Sequence, residues 1–224
     1  MENITNKQLG VAALGVFTAA VALSFAKKEN KKEQTVEEFA EELEAEIMPL
    51  LKFYPDFPKK GVNFLDVFSI TEQPEVFHKI MEGLRRLVKE KFGEPGKDFT
   101  HLVGLESKGF VLGPVLALEY NIPFVPIRKK GKLPGECWTQ DYNLEYGSDT
   151  IQIHKHALPA GSKALMVDDL LATGGTLAAG EALIRNIPDV KCIGSFIIFE
   201  IDCLKGRKKT AERVETLIHL KFEE

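Results

Sequence analysis

The spacing of apolar residues along the chain distinguishes predicted helices from predicted strands. Residues 36–51 carry apolar positions at helical intervals, behind a Thr35 that has capping-box spacing to Glu38. Further along, short apolar runs typical of buried strands alternate with helical ones. The predicted strands are 62–67, 100–105, 123–128, 150–155, 163–169, 190–200 and 214–220, and the predicted helices are 74–92, 110–120 and 176–186. This alternation predicts an α/β fold with a mostly parallel central sheet flanked by helices, in which ligands bind at the carboxyl ends of the strands.

The N-terminal pattern is different, because residues 9–26 form an uninterrupted run of eighteen uncharged residues. As a helix this run would be about 27 Å long, close to the thickness of a bilayer core. One lysine precedes the run and four follow within residues 27–32, which argues against a cleaved signal peptide and would keep the remaining chain on the cytosolic side. We predict a membrane anchor and a charged linker over residues 1–34 and a cytoplasmic folded domain over residues 35–224. A targeting peptide and a helix packed on the protein are the alternatives.

Composition narrows the class of protein. At 224 residues, with 44% hydrophobic and 28% charged residues, the chain has room for one globular domain with appendages. The formal net charge of −4 shows no basic surplus, so we expect no nucleic-acid partner. The three cysteines show no CxxC spacing, which predicts reduced thiols instead of a disulfide framework or a thiolate zinc site.

The strongest chemical signal comes at the end of the predicted strand 163–169. Asp168 and Asp169 end this strand, and a short loop with paired glycines leads into the next predicted helix. The N–H groups of such a loop and the helix N-terminus can cradle a phosphate, while the carboxylates can accept hydrogen bonds from a diol. Ribose 5-phosphate carries both groups. Because neighbouring strand residues point to opposite faces, both carboxylates can reach one sugar only if the strand breaks there.

This loop and its flanks resemble the adenine phosphoribosyltransferases, which are type I phosphoribosyltransferases. The matching segments are YPDFPKKGVNFLD (54–66), VGLESKGFVLGP (103–114), IRKKGKLPG (127–135), LEYG (144–147), VDDLLATGGT (167–176) and CLKGR (203–207). The resemblance extends over roughly residues 36–224. It implies a type I phosphoribosyltransferase fold with a flexible lid loop and a small hood.

The resemblance also implies an activity. Members of the family transfer ribosyl 5-phosphate from phosphoribosyl diphosphate (PRPP) to adenine, which gives AMP and diphosphate in purine salvage. They act as homodimers with Mg²⁺, which is held by PRPP and water, so we expect no direct metal ligand from the protein. The same chemistry on hypoxanthine, guanine or xanthine is one alternative, and a PRPP-binding regulator without turnover is another.

Residues for PRPP follow from the same match. The expected PRPP contacts are Asp168, Asp169, Ala172, Thr173, Gly174, Gly175, Thr176, Lys108, Arg128, Lys129 and Lys132. The four basic residues among them supply cations for a departing diphosphate. Family members commonly carry arginine at the position of Lys108, and often a cis peptide in this turn, here between Glu106 and Ser107.

Residues for the base follow as well. The resemblance places adenine between Phe64 and Ile201, with backbone contacts from Asn63 and Leu65. Many family members carry arginine at the position of Leu65, where this chain is aliphatic. A phosphate contact from that arginine would be missing here, so the choice of base is less firmly implied than the use of PRPP.

The segment 131–146 is predicted to be a long, mobile loop that covers the site, since it bears glycine and proline and is long for a connection. Within it, the resemblance matches Glu145 to the carboxylate that handles a proton at the imidazole edge of the purine. Tyr146 matches a hood residue that contacts adenine. The basic run from Lys205 to Lys209, in contrast, is interpreted as a solvated turn.

Overall fold

The structure is a computed structural model that describes residues 34–144 and 147–222. The helices are α1 (Val36–Ile47), α2 (Phe68–Thr71), α3 (Pro74–Phe92), α4 (Gly109–Tyr120) and α5 (Gly175–Arg185). The strands are β1 (Lys52–Pro55), β2 (Asn63–Asp66), β3 (His101–Leu105), β4 (Phe124–Lys129), β5 (Cys137–Leu144), β6 (Gly147–His154), β7 (Lys163–Leu171), β8 (Lys191–Ile201) and β9 (Val214–Leu220). Short 3₁₀ helices occupy Met48–Leu50, Asp202–Leu204 and Gly206–Lys208.

Seven strands form one sheet in the order β5-β6-β4-β3-β7-β8-β9. Strands β3, β4, β7, β8 and β9 are parallel, whereas β5 and β6 form an antiparallel hairpin that joins the sheet at β4. The prediction of a mostly parallel sheet is therefore confirmed. Because parallel strands end at the same edge, the residues that follow β3, β4, β7 and β8 share one side of the molecule.

Helices cover both faces of the sheet, since β7 is apolar on both. Leu165 and Val167 pack into one hydrophobic core with α1, α3 and α4, whereas Ala164 and Met166 pack into a second core with α5. Successive strand residues point to opposite faces, which explains this division. Strand β7 is thus held from both sides.

Helix ends follow local sequence signals. Helix α3 begins at Pro74, a residue suited to the first helical turn, and it ends before Gly93, whose φ is 86°. These bounds confirm the predicted helix 74–92. Helix α4 ends at Asn121, which adopts the left-handed conformation that asparagine tolerates.

Two strands depart from the sequence prediction. Strand β1 is not predicted, and it pairs with β2 in a separate two-stranded sheet, so the predicted strand 62–67 lies outside the central sheet. Strand β5 falls inside the predicted loop 131–146, and each of its residues pairs with β6. The loop prediction is wrong for 137–144, because the partly buried Trp138 and Tyr142 pack on the second core and hold this segment as a strand.

In the part of the chain that the structure describes, no helix combines the length and the apolarity that crossing a bilayer requires. The predicted anchor over residues 9–26 lies outside the described residues.

Candidate active site

The β7–α5 loop, residues 172–174, joins a buried strand to the N-terminus of a helix. Gly174 precedes α5 with a φ of 77°, in the left-handed region that glycine adopts most readily. A Cβ at Gly174 would collide with the carbonyl oxygen of Gly206, and a Cβ at Gly206 would collide with that of Ala172. The loop is therefore packed backbone to backbone against a second segment. At this edge of the sheet, α5 offers the N-terminal N–H groups that an anion site requires.

The two aspartates lie on β7 beyond its last residue pair with β3, Gly104 and Val167. Strand β7 continues along β8 as far as Leu171, but its side-chain alternation shifts after Val167, because Leu170 packs on the first core and Leu171 belongs to the second. Asp168 and Asp169 lie at this shift, which is the departure from regular alternation that both carboxylates need in order to reach one sugar, and their side chains interact with each other. An oxygen of the Asp168 carboxylate accepts a hydrogen bond from the Asp169 N–H at 3.0 Å.

These carboxylates differ in their surroundings. Burial, together with the nearby charge of Asp169, raises the pKa of Asp168 well above its ordinary value. Asp169 is itself buried, and its Oδ2 lies 3.3 Å from Nζ of Lys108. The same ammonium group lies 5.1 Å from the centre of the Phe64 ring. Lys108 thus lies between Asp169, which is predicted to bind PRPP, and Phe64, which is predicted to bind adenine.

Glu106 pairs with Arg128, one of the basic residues predicted to bind the diphosphate. Nε and Nη2 of Arg128 lie 3.2 and 3.1 Å from the two carboxylate oxygens of Glu106. The hydrogen bond from Arg128 lowers the pKa of Glu106, so this pair stays charged. Nη1 of Arg128 donates to the carbonyl of Lys132 at 3.1 Å, and the peptide bond between Glu106 and Ser107 is cis, as the family resemblance implies.

A cavity of about 180 Å³ lies beside this ion pair. Its polar lining consists of Glu106, Arg128, Lys129, Tyr142, Asp149 and Thr176. A hydrogen bond to Asp149, whose Oδ2 lies 3.1 Å from Nζ of Lys129, raises the pKa of that lysine. Burial raises the pKa of the Tyr142 phenol, which is hydrogen-bonded to Thr176. The cavity therefore collects three of the predicted PRPP contacts, and two of its basic groups already have acidic partners.

The residues predicted for the base lie on separate elements. Phe64 is half-buried on β2, and Phe57 packs edge-on against it with ring centres 5.1 Å apart. Asn63 is exposed, whereas the Leu65 side chain is buried in the first core. Ile201 ends β8 and packs into that same core. Any contact of Leu65 with a base would thus come from its backbone.

Glu145 and Tyr146, the residues predicted for proton transfer and for the hood, lie outside the described residues. Two further polar residues of the cavity, Tyr142 and Asp149, are missed by sequence reasoning. The two aromatic residues Trp138 and Tyr142, which lie at an even spacing among polar residues and so share one strand face, are the signal that could have revealed β5.

The basic run from Lys205 to Lys209 is exposed except at Gly206, as expected for a solvated turn, but the side chain of Arg207 is paired. Its Nε lies 2.8 and 2.7 Å from the two carboxylate oxygens of Glu200, which is buried. The motif CLKGR contains this residue, but a cluster of lysines around an arginine looks the same whether the arginine is paired or solvated.

A parallel sheet with a glycine loop between two carboxylates and a helix N-terminus is the arrangement of a phosphoribosyltransferase. The family described as Phosphoribosyl transferase domain matches residues 69–222. Adenine phosphoribosyltransferase 1 of Saccharomyces cerevisiae is 42% identical over 178 residues, which is 80% of this chain and 94% of the yeast protein.

Two solved structures show the same relation. The crystal structure of the S. cerevisiae adenine phosphoribosyltransferase, complexed with an imino-altritol bisphosphate and adenine, matches with a TM-score of 0.72 and 41% identity, over 80% of this chain and 98% of that one. The Trypanosoma brucei adenine phosphoribosyltransferase, in complex with AMP, pyrophosphate and ribose-5-phosphate, matches with a TM-score of 0.69 and 28% identity, over 79% of each chain. The chain belongs to the adenine phosphoribosyltransferase family.

Proposed function

We propose that this enzyme transfers ribosyl 5-phosphate from PRPP to adenine, with AMP and diphosphate as products. The observation that carries the proposal is the β7–α5 loop, where two carboxylates, a glycine turn and a helix N-terminus meet at one edge of the sheet. The relatives support it, because the solved yeast enzyme is complexed with adenine, and the T. brucei enzyme is in complex with AMP and pyrophosphate, the two products, and with ribose-5-phosphate.

The phosphate and ribose of PRPP bind at β7 and α5 in this proposal. The N–H groups of residues 172–176 and the hydroxyls of Thr173 and Thr176 hold the 5-phosphate, aided by the dipole of α5. Asp168 and Asp169 accept hydrogen bonds from the ribose hydroxyls. Both carboxylates must be ionised to accept well, so ligand binding favours loss of the Asp168 proton.

The diphosphate binds on the side of the basic residues. Lys108, Lys129 and Lys132 supply charge, and Arg128 adds a guanidinium that Glu106 orients through two hydrogen bonds. As the C–O bond at the anomeric carbon breaks, negative charge grows on the diphosphate, and these cations stabilise it. The electron pair of that bond leaves with the diphosphate, and the new bond forms between the anomeric carbon and a ring nitrogen of adenine.

The base binds against Phe64 and Ile201, near Asn63, Leu65 and Tyr146. The imidazole edge of adenine gives up one proton in the reaction, and Glu145 accepts it. A carboxylate in a segment that covers the site can be shielded enough from water for this role.

Mg²⁺ arrives with PRPP in this proposal. The residues present fit it, because carboxylate oxygens such as those of Asp168 and Asp169 are the hard donors that hold the water shell of this ion. When bound, Mg²⁺ neutralises charge on the diphosphate. Substrate oxygens and water would supply its direct ligands, as the family resemblance implies.

A homodimer is the proposed assembly, and helix α4 supports it. A helix that is apolar on all sides is usually buried, yet Val115 and Leu118 of α4 are exposed, the latter by 84%. Leu118→Glu should convert a dimer into a monomer in sedimentation velocity, whereas Met48→Glu, at another exposed apolar residue, should not. A Leu118→Glu protein that sediments as a dimer would contradict the use of this face.

Residues 9–26 are the proposed attachment to a membrane, with the enzyme on the cytosolic side. The support is the length of the uncharged run and the lysines that follow it. Cells that make the full chain should yield it in the membrane fraction, and a version that starts at Lys27 should be in the soluble fraction. Recovery of both proteins in the soluble fraction would refute the anchor.

Release of diphosphate from PRPP, measured with a panel of free bases, tests the activity. We expect turnover with adenine and far less with hypoxanthine, guanine or xanthine. A preference for one of those three would assign the same chemistry to another base. PRPP binding without turnover on any base would instead favour a regulator.

A further inference from the structure

The segment that follows β8 contacts the β7–α5 loop through main-chain atoms. Gly206 lies against Ala172 and Gly174 so closely that a Cβ on either glycine would collide with a main-chain oxygen of the other segment. Contacts between backbones have no side chain to absorb a displacement. The position of Gly206 therefore helps to set the position of the loop.

Arg207, the next residue, is held at three points. Its Nε lies 2.8 and 2.7 Å from the carboxylate oxygens of Glu200 on β8, and its Nη2 donates to Oγ1 of Thr216 on β9 at 2.9 Å. Its Nη1 donates to the carbonyl oxygen of Val214. Glu200 is only 4% exposed, and Thr216 donates a hydrogen bond to it at 2.9 Å. Arg207 thus fastens its segment to β8, which is a neighbour of β7, and to β9, which lies beyond β8.

The planar guanidinium suits this position. It can reach a carboxylate, a hydroxyl and a carbonyl in one plane, whereas a lysine ammonium would keep the charge and lose most of these contacts. Glu200, Asp202 and His219 also have the spacing of a metal site. However, Glu200 is occupied by Arg207, and Nδ1 of His219 lies 2.8 Å from Asp202, so these groups satisfy one another.

We propose that Arg207 is a positioning residue for phosphate binding, which holds Gly206 against the β7–α5 loop and so keeps the loop N–H groups in place for the 5-phosphate of PRPP. This inference rests on the proposed function of that loop. Arg207 itself touches no part of the substrate in this account. Its effect should therefore appear in the binding of ribose 5-phosphate and PRPP, and not in the binding of adenine.

Two variants test the inference from opposite ends. Arg207→Lys keeps the charge and removes the multiple hydrogen bonds, whereas Gly206→Ala leaves the ion pair and pushes on the loop directly. Both should raise the calorimetric Kd for ribose 5-phosphate and the KM for PRPP by about 10- to 100-fold, the usual effect of a small misplacement. The KM for adenine should change by less than about twofold, since uniform binding of the base is not altered.

Arg213→Lys is the matched control. Arg213 lies in the same connection to β9, and its guanidinium pairs with Glu215 at 2.6 Å and packs over the ring of Phe92, away from the β7–α5 loop, so the substitution has the same chemistry at a different place. It should leave all constants unchanged. Glu200→Gln should reproduce the effect of Arg207→Lys, and the two together should be less than additive, because they remove one interaction.

The outcomes separate this inference from the proposed function. If the wild-type chain binds ribose 5-phosphate but has no activity with adenine, the function is wrong and the calorimetric comparison still tests Arg207. If Arg207→Lys and Gly206→Ala bind ribose 5-phosphate like the wild type, or if adenine and PRPP weaken equally, the positioning role is refuted. Should Arg207→Lys fail to fold, Gly206→Ala with the Arg213→Lys control decides the question.

Discussion

The phosphate end and the base end of the site are constructed differently. The phosphate end is one continuous piece of chain, in which β7 leads through residues 172–174 into α5. The proposed base end combines Phe64 from β2 with Ile201 from the end of β8. The first depends on local backbone geometry, and the second depends on how distant elements pack.

Lys108 connects the two ends, with Nζ 3.3 Å from Asp169 and 5.1 Å from the Phe64 ring centre. Changes at the phosphate end should therefore act first on PRPP, and changes at the base end should act on turnover with adenine. The chemistry of a site that lies on one continuous segment can be predicted from its residues. The chemistry of a site whose residues come from distant elements could be predicted here only from a family resemblance.

The largest expected effect is at the phosphate end. Asp168→Asn combined with Asp169→Asn should weaken PRPP binding about 10²- to 10⁴-fold and abolish turnover, because each lost hydrogen bond to a charged group contributes about 1.5–3 kcal/mol. Calorimetry with PRPP measures the binding, and thermal unfolding serves as the control for folding. Wild-type affinity in the double variant would show that the carboxylates do not hold the ribose.

At the base end, Glu145→Gln should lower kcat by about 100-fold or more, the usual contribution of a positioned acid or base. Its PRPP affinity should stay close to that of the wild type. Glu136→Gln is the matched control, since Glu136 belongs to the same segment and its side chain is 81% exposed. A kcat for Glu145→Gln equal to that of the control would remove Glu145 from proton transfer.

Sequence reasoning predicts most of the fold because the sheet has strong local signals. The bounds of α3 follow from Pro74 and Gly93, and the course of β7 follows from a continuous apolar run. The segment 137–144 is mistaken for loop, because Gly131, Pro134 and Gly135 precede it and its own residues do not reveal its pairing with β6. The packing of Trp138 on the second core is what holds this segment as a strand.

The candidate site also has a part that can be predicted from the sequence and a part that cannot. Asp168, Asp169 and Gly174 are predictable from residue chemistry, since their spacing alone specifies a phosphate cradle. The pairing of Arg128 with Glu106 and of Arg207 with Glu200 is not predictable, because each joins residues on different elements. A charged residue in a basic run looks solvated until the fold supplies its partner.

Gly174→Ala is expected to have a smaller effect than the two changes above, but a larger effect than Gly131→Ala. Both glycines have positive φ, 77° and 80°, which costs other residues about 1–2 kcal/mol. A Cβ at Gly174 collides with Gly206, whereas a Cβ at Gly131 meets open space. The KM for PRPP should rise about tenfold more in Gly174→Ala than in Gly131→Ala. Equal effects would mean that the contact with Gly206 is unimportant.

The smallest effect concerns pH. The pKa of Asp168 is raised in the folded protein, so protonated Asp168 adds stability at low pH that is lost as pH rises through this raised pKa. The ligand-free wild type should therefore lose free energy of unfolding relative to Asp168→Asn above the ordinary carboxyl range, by at most about 1.4 kcal/mol per pH unit. Urea unfolding across pH measures the difference. Parallel curves for the two proteins would mean that Asp168 titrates normally.

A crystal structure with ribose 5-phosphate tests most directly whether the β7–α5 loop is the phosphate site, on which the rest of the proposed site depends. We expect the phosphate at the N-terminus of α5, within hydrogen-bond distance of N–H groups of residues 172–176, and the ribose hydroxyls at Asp168 and Asp169. An empty β7–α5 loop, with the ligand bound elsewhere on the protein, would contradict this account.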